Sequence, residues 1–450
     1  MSVSVKTHNF EFIKTMCLII AAYCIYFICI PPFTVNDEPD HIKIIVNVSH
    51  GQYPYTSMYG KVAKNLGAIE KIQTSLNYQD HPLQIPNFKT LSSLKEGPKD
   101  YVVHNVFSHE AYSPPLYYVV GALFYNLSKI TPYLLWQLYF FRLTSTIFYF
   151  GSVFVAWKIA LLLCKNTKRA SSLLIFFSIN PLVLKMGIGV NPDIGITFFS
   201  LFFLYIFLKT PFTKLKIKNI VWLCVLSALA TLTKISGVFT NIAFTIYICV
   251  AQGVTRKTIR FVALFQALFL SLVLPWFLFI FTRYHTIFPE PFSDTCGKVK
   301  NDFIVYKFVN AFTAFRYTFM HYSGFMGQAW PHPFKWFFVG YVILFVALML
   351  VGVWSIREKK AATEKAIGIF TIPLFIFLLT LSMEQRFASL DCDMQGRYMM
   401  PVFFVLCLFV YWGLAYVTKS EEKASSIVKG FAIFHYLFIL FTVLLLRYYV

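Results

Sequence analysis

The chain has 450 residues, of which 58% are hydrophobic and 13% charged, and its formal net charge is +20. A soluble globular protein of this length could not bury so much apolar surface, so the composition excludes that class. The charge does not indicate nucleic-acid binding, because Lys and Arg gather in short loops between apolar runs, as in membrane proteins. We therefore predict an all-α, polytopic transmembrane protein whose residues 1–450 form one integral membrane domain.

The first apolar run covers residues 13–30 and ends at Pro31-Pro32. Basic residues precede it and no small-residue cleavage site follows it, which predicts an uncleaved signal-anchor. A polar segment follows at 31–113, too long for a simple connection between helices. We interpret it as a large first external loop.

Short basic loops recur along the rest of the chain, and placing them all inside fixes the orientation. They lie at 165–169, 209–218, 256–260, 357–360 and 419–429. An even number of crossings must separate consecutive basic loops. The apolar segments 171–208, 219–252, 261–354 and 367–417 therefore give two crossings each, and a last span covers 431–448.

The number of spans depends on residues 114–164, which must supply one crossing or three. The total is then 11 spans, with partly embedded helices, or 13. Two further external loops are expected at about 284–333 and 383–397.

Unusual polar residues all fall at external membrane ends on this map, whereas the internal loops hold mostly Lys and Arg. Polar and ionisable residues at membrane depth are costly and usually functional. We expect chemistry on the external or lumenal side. The residues are Asp37, Glu38, His41, His109, Glu110, Lys185, Asn191, Asp193, Lys234, Glu384, Arg386, Asp391, Asp393 and Arg397.

The first motif is Asp37-Glu38-Pro39-Asp40-His41, directly after the first apolar run. A carboxylate at an apolar boundary can act as a general base or hold a cation. The structural alternative is a solvated helix start, with Asp as N-cap and Pro in the first turn. The nearby histidine favours the functional interpretation.

The second motif is His109-Glu110, followed by Pro114-Pro115-Leu116-Tyr117-Tyr118. Pro at a helix start and Tyr at a membrane interface are structurally ordinary. The adjacent His and Glu have no such explanation, although an exposed loop would also accommodate them.

Isolated cations form the third signal. Arg397, in Gln395-Gly396-Arg397-Tyr398, could snorkel, pair with a neighbouring Asp, or bind a phosphate with two hydrogen bonds. Lys185 and Lys234 lie at breaks between short helices on the same side, and Arg142 could join them. Together they would bind an anionic headgroup.

The fourth motif, Asn191-Pro192-Asp193, is typical of a helix restart in which Asn or Asp caps the new helix. A catalytic role for this motif is the alternative.

These motifs together resemble the GT-C superfamily of polytopic glycosyltransferases, which includes protein O-mannosyltransferases and lipid A aminoarabinose transferases. Asp37-Glu38 is similar to that superfamily's acidic pair in the first external loop. The Tyr117 motif is similar to its second-span motif, with the histidine displaced to His109. The superfamily resemblance extends to three later motifs: Asn191-Pro192-Asp193, Thr233-Lys234 to Gly237, and Gly396-Arg397-Tyr398 to Pro401. It is strongest to a branch of predicted bacterial membrane glycosyltransferases, whose first and last motifs resemble Asp37-Glu38-Pro39-Asp40-His41 and Gln395-Gly396-Arg397-Tyr398.

The resemblance implies inverting transfer of a sugar from a polyprenyl-phosphate donor, with Asp37 as general base. Glu38 and His41 would orient the acceptor or Asp37. It implies a lipid, glycan or protein acceptor, contact with membrane lipids, no nucleic acid, and a bacterial plasma membrane rather than endoplasmic reticulum. The carboxylates could hold a divalent cation, so the cofactor is open. The implied substrate-binding residues are His109, Glu110, Tyr117, Lys185, Asn191, Asp193, Lys234, Gln395, Arg397 and Tyr398.

Several functions compete with this one. A transporter or flippase of lipid-linked saccharides would also need many spans and a basic headgroup site, but with polar residues through the midplane and on both sides. A lipid-linked-sugar ligase or polymerase would share the external site without the Asp-Glu start. A structural subunit and an inactive relative also stay open.

Overall fold

The computed structural model describes the chain as a helical protein. The described ranges are 2–30, 35, 37–51, 59–60, 106–107, 113–210, 217–285, 335–358, 362–388 and 396–449. Within these ranges the regular structure is helical except for two strands of two residues each, β1 (Tyr59–Gly60) and β2 (Val106–Phe107), which pair antiparallel. The prediction of an all-α protein is confirmed.

The helices before the break at residues 189–192 are α1 (Ser2–Cys29), α2 (Glu38–Ser49), α3 (Leu116–Ser128), α4 (Leu134–Cys164), α5 (Thr167–Ser178) and α6 (Pro181–Ile188). Those that follow are α7 (Asp193–Lys209), α8 (Ile217–Thr233), α9 (Val238–Gln252), α10 (Arg256–Tyr284), α11 (Lys335–Ser355), α12 (Ala362–Ala388), α13 (Met400–Thr418) and α14 (Glu421–Tyr449). Short 3₁₀ helices at Ile235–Gly237 and Gly396–Met399 precede α9 and α13.

Membrane-spanning character is clear in several of these helices. By length and hydropathy alone, five helices in the described ranges can cross a membrane, or six if the α5–α6 pair, bent by 62°, is one span. They include α1, α4, α10 and α13. Large apolar side chains on their outer faces are exposed, as expected where lipid rather than protein covers them.

Contacts between α1 and α4 show that these helices run in opposite directions. At the end of the bundle away from the basic loops, called the external end because those loops are predicted to lie inside, the guanidinium of Arg142 donates to the carbonyl of Ile30 at 3.2 Å. At the other end the rings of Phe12 and Trp157 lie 5.2 Å apart. Helix α4 therefore passes from the external side to the basic loop at its C-terminus.

Helices α2 and α3, with 12 and 13 residues, are shorter than the ~20 residues that a membrane-spanning helix needs. They start beside α4 and run together away from the basic loop at its C-terminus. Tyr117 at the start of α3 contacts Ser145, whereas Tyr125 near its end stacks on Phe141, one turn closer to the external end of α4. Residues 114–164 thus supply one full-length pass. This is the arrangement of the 11-span alternative, with α2 and α3 as partly embedded helices.

Both predicted breaks on the external side are present. The chain leaves α6 at Ile188 and restarts as α7 at Asp193, and it leaves α8 at Thr233 and restarts as α9 at Val238. Gly237 is needed at the second break, because a Cβ there would lie 2.3 Å from the carbonyl carbon of Ala230. These breaks expose backbone and polar side chains where the site forms.

Among the candidate spans in the described ranges, α13 has the largest buried share, and α11 packs closely along it. A Cβ at Gly352 would lie 1.9 Å from the carbonyl oxygen of Phe409, and one at Gly413 would lie 2.0 Å from that of Leu348. Glycine at both positions allows the two backbones to touch. The packing fixes α13, whose external end carries Arg397.

Candidate active site

Five chain segments bring charged side chains together at the external end of the bundle. They are the start of α2, the last turn of α6, the start of α7, the break between α8 and α9, and the 3₁₀ helix before α13. The charged residues they contribute are Asp37, Glu38, Lys185, Asp193, Lys234 and Arg397, with Arg142 from α4 beneath them.

Glu38 is completely buried and forms a two-point ion pair with Arg142. The Nε and Nη2 atoms of Arg142 donate to the two carboxylate oxygens at 2.9 and 3.0 Å, and both side chains are 0% exposed. The backbone N–H of Val190 also donates to Oε1 at 3.2 Å. With Arg142 bound to the carbonyl of Ile30 as well, this pair connects α4 to the chain just after α1, to the start of α2 and to the turn after α6.

Asp37 precedes Glu38 and caps α2 in an unusual conformation. Its φ is 59°, in the left-handed region that Asp tolerates better than most residues, and its side chain makes no capping hydrogen bond. The carboxylate is instead turned toward Arg397, whose Nη2 donates to Oδ2. The Asp37 side chain is 37% exposed, so it is reachable from the external side, whereas that of Arg397 is only 6% exposed.

The charge on Asp37 is stabilised by its surroundings. Burial alone would raise the pKa of its carboxyl, but the electrostatic interactions with Arg397, His41 and Lys234 outweigh burial and hold the pKa well below its ordinary value. Asp37 is therefore an ionised carboxylate at neutral pH.

Asp193 forms the second carboxylate of the cluster, at the first position of α7. Its backbone N–H is capped by Oδ1 of Asn191 at 2.9 Å, as the Asn-Pro-Asp motif predicts. The Nζ of Lys234 donates to Oδ1 of Asp193 at 2.6 Å. Oδ2 lies 3.5 Å from Nε of Arg397, and within the described ranges this buried oxygen accepts no hydrogen bond.

Tyr398 covers the two cations that face these carboxylates. Nζ of Lys234 lies 5.0 Å from the centre of its ring, and the guanidinium carbon of Arg397 lies 5.7 Å from it. Cations at these distances are attracted by the face of an aromatic ring. The ring therefore helps to hold Lys234 and Arg397 next to each other despite their like charges.

Lys185 adds a third cation from the last turn of α6, and its side chain is buried. It interacts electrostatically with Arg397, Asp37 and Glu38. With Glu38 and Arg142 neutralising each other, the cations Lys185, Lys234 and Arg397 face the carboxylates Asp37 and Asp193. The described cluster therefore carries one surplus positive charge.

The predicted residues His41 and Tyr117 lie in the seam between α2, α3 and α4. Nδ1 of His41 is 2.9 Å from the hydroxyl of Tyr118, and the hydroxyl of Tyr117 is 2.7 Å from Oγ of Ser145. Ser145 also accepts from the backbone N–H of Asn191 at 3.4 Å. These contacts fix the floor of the site and leave His41 buried beside Asp37.

A divalent cation does not fit the described residues. No group of three or more His, Cys, Asp and Glu side chains in the described part of the chain is placed to hold a metal ion. The carboxylates of Asp37 and Asp193 both face cations instead.

Sequence reasoning anticipated most of this cluster but not its pairing. The structure brings together Asp37, Glu38, His41, Lys185, Asn191, Asp193, Lys234, Arg397 and Tyr398, with Tyr117 beneath them. The predicted residues His109, Glu110 and Gln395 lie outside the described residues.

Two residues have roles that the sequence did not indicate. Arg142, suggested as a headgroup cation, is instead the buried partner of Glu38. Ser145 was missed; it lies three residues after Arg142 on α4, and a hydroxyl one helical turn from a buried charge was the available signal.

Comparison with solved structures gives a match over almost the whole chain. The crystal structure of ArnT from Cupriavidus metallidurans bound to undecaprenyl phosphate superposes with a TM-score of 0.51 at 15% identity, covering 96% of this chain and 72% of that one. The same protein in the apo state gives 0.49 at 14% identity with the same coverage. The first match confirms the GT-C-like fold expected from the sequence. No curated protein matches the chain significantly.

A family model matches the sequence directly, over residues 18–406. The match starts inside α1 and ends inside α13, so it includes every segment that contributes to the charged cluster. The chain therefore belongs to the DUF2142 family, described as predicted membrane proteins.

Proposed function

We propose that this protein is a GT-C-type glycosyltransferase that moves a sugar from a polyprenyl-phosphate donor to an acceptor on the external side of a bacterial plasma membrane. The observation that carries the proposal is one ionised, solvent-reachable carboxylate, Asp37, beside three cations at the external end of a helical bundle. The likeness of the fold to ArnT, which has been solved with undecaprenyl phosphate bound, supports a lipid-phosphate ligand.

Asp37 acts as the general base in this proposal. The acceptor heteroatom bonds to the anomeric carbon from the face opposite the phosphate, and its proton passes to a carboxylate oxygen of Asp37. The bond from the anomeric carbon to the phosphate oxygen breaks, and its electron pair stays on the lipid phosphate. Attack opposite the leaving group inverts the anomeric configuration.

The charge of the cluster suits this reaction. A phosphodiester donor carries one negative charge, equal to the surplus positive charge of Lys185, Lys234 and Arg397 over Asp37 and Asp193. When the lipid phosphate leaves, its charge increases toward about −2. At the same time Asp37 takes up a proton and becomes neutral. The net positive charge of the cluster therefore increases as the negative charge on the phosphate increases.

Glu38 and Arg142 support the base without touching the substrate in this proposal. Their buried pair fixes the first turn of α2, so Asp37 keeps its position at the edge of the cluster. His41, one turn further along α2, orients the acceptor or the Asp37 carboxylate.

The test is transfer of label in proteoliposomes. A panel of radiolabelled polyprenyl-phosphate sugars is supplied, and label is followed into lipid, glycan and protein fractions for wild type, Asp37→Asn and Asp40→Asn. Asp40 lies on the same helix but pairs with Lys43 at 3.2 Å, so its substitution is the matched control. We expect transfer with wild type and Asp40→Asn, and a loss of at least about a hundredfold with Asp37→Asn.

Two outcomes would reject the proposal. Near-normal transfer by Asp37→Asn would show that this carboxylate is not the base. Label that only crosses the membrane, with no dependence on Asp37, would identify a flippase of lipid-linked saccharides instead.

A further inference from the structure

Asp37 and Arg397, the proposed base and a proposed phosphate ligand, are bound to each other in this structure. Arg397 is the buried member and Asp37 the exposed one, so a ligand that enters from the external side meets the carboxylate first. An anionic phosphate can bind Arg397 fully only if Asp37 gives up its hydrogen bond from Nη2. The proposed base and the proposed phosphate therefore compete for one guanidinium.

A second carboxylate is already in place for Arg397. Oδ2 of Asp193 lies 3.5 Å from Nε of Arg397, and it accepts no hydrogen bond from the described parts of the chain. Its other oxygen is held by Lys234 at 2.6 Å, so the carboxylate is fixed in position. A small shift of the guanidinium away from Asp37 would convert this 3.5 Å contact into a hydrogen bond.

We propose that the donor's phosphate displaces Asp37 from Arg397, that Asp193 holds the guanidinium in its second position, and that Asp37 becomes a competent base only in the donor complex. This inference rests on the proposed function and deepens it, because it makes donor binding the step that activates the base. Asp193 is a positioning residue here, since it acts through Arg397.

The surrounding charges agree with this exchange. Among the described residues, the charged and titratable groups that interact with Asp37 or adjoin it in the chain are Arg397 from the segment before α13, His41 and Glu38 from α2, Lys234 from the break before α9, and Lys185 from α6. While Asp37 is bound to Arg397 its pKa is depressed and its proton affinity is poor. Loss of that partner raises the pKa of Asp37 toward the ordinary value, which improves it as a base.

A consequence of this exchange concerns the order of binding. Without donor, Asp37 stays bound to Arg397 and is a poor base. The order of events is then donor first and acceptor second.

The test is a double-mutant cycle on binding of undecaprenyl phosphate to detergent-purified protein, which needs no turnover. Dissociation constants are measured for wild type, Asp37→Asn, Arg397→Ala and the double variant. Because Asp37 competes for Arg397, we expect Asp37→Asn to bind the lipid phosphate about tenfold more tightly or better. In the Arg397→Ala background the same substitution should change the constant by less than about twofold.

Asp40→Asn is the control for general electrostatics, because it removes the same charge from the same helix. Two results would overturn the exchange and leave the proposed function standing. The first is that Asp40→Asn and Asp37→Asn lower the dissociation constant for undecaprenyl phosphate equally. The second is that Asp37→Asn lowers it equally in the presence and absence of Arg397. Failure of wild type to bind undecaprenyl phosphate would instead reject the proposed function. Melting temperatures identify any misfolded variant, and Asp37→Ala, for which the same tightening is expected, then replaces Asp37→Asn.

Discussion

Asp37 and Glu38 are adjacent carboxylates with opposite surroundings. Glu38 is 0% exposed and bound at both oxygens by Arg142, whereas Asp37 is 37% exposed and bound by Arg397. The left-handed backbone at Asp37 produces this difference, because it turns one side chain outward while the next enters the bundle. A single Asp-Glu pair therefore supplies both a buried structural anchor and a carboxylate that is accessible from outside the bundle.

The pairing of charges marks the limit of sequence reasoning at this scale. The positions of the charged residues relative to the basic loops were enough to predict that these residues gather at the external ends. Which arginine would bind which carboxylate could not follow, because Glu38 and Arg142 are 104 residues apart and Asp37 and Arg397 are 360 apart. No local periodicity connects such positions.

The first prediction at the residue scale concerns Arg142. Replacing it with Met would leave the Glu38 carboxylate buried without its partner, and breaking a buried pair in this way costs about 3–5 kcal/mol. We expect Arg142→Met to unfold at a markedly lower SDS fraction or temperature than wild type, measured by circular dichroism in detergent.

The control for that prediction removes both charges. Glu38→Gln combined with Arg142→Met leaves no buried ion, so it should be more stable than Arg142→Met alone. A single variant as stable as wild type would mean that the pair does not hold α2 and α4 together.

At the scale of elements, the sequence predicted breaks better than it predicted short helices. The interruptions at Lys185–Asp193 and Lys234–Gly237 were read from polar, Pro and Gly residues, and both are present. Helix α3 was ambiguous because its 13 residues are apolar enough to resemble part of a span. Its direction depends on Tyr117, Tyr125 and their partners on α4, which are tertiary contacts.

The second prediction concerns the contact between α11 and α13. A methyl group at Gly413 would lie 2.0 Å from the carbonyl oxygen of Leu348, and the backbone cannot yield as a side chain can. Gly413→Ala should therefore lower the free energy of unfolding by about 1–3 kcal/mol or more. Because Arg397, the proposed phosphate ligand, lies in the 3₁₀ helix directly before α13, the affinity for undecaprenyl phosphate should also decrease.

Gly430 on α14 provides a matched comparison. A Cβ there meets nothing within 4 Å, so Gly430→Ala should be neutral or stabilising, by up to about 1 kcal/mol, through helix propensity. Equal stability of the two variants, compared by thermal unfolding in the same detergent, would contradict the close packing of α11 on α13.

At the scale of the whole molecule, the distribution of charge and the packing of helices give one consistent orientation. Basic loops such as the one at Lys165–Arg169 lie at one end of the described bundle, and the Asp37 cluster lies at the other. Composition and the positive-inside rule were sufficient to predict this. They could not decide between 11 and 13 spans, because hydropathy does not report which way a short helix turns.

The third prediction decides that count by labelling in intact cells. Lys129, just after α3, and Lys168, at the start of α5, are both exposed. In a cysteine-free background, Lys129→Cys should react with a membrane-impermeant maleimide from outside, and Lys168→Cys only after the membrane is permeabilised. Protection of Lys129→Cys in intact cells would mean that α3 crosses the membrane, as 13 spans require.

The separation of Asp37 and Arg397 along the chain also bears on how the protein is made. During synthesis Glu38 emerges before Arg142, so the charged helix α4 enters the membrane with its counter-ion already present. Asp37 waits far longer, since Arg397 is translated 360 residues after it, whereas Lys234 follows its partner Asp193 by only 41 residues. A nascent chain that stops before α13 lacks the partner of Asp37, so the charged cluster can assemble only after translation has passed Arg397.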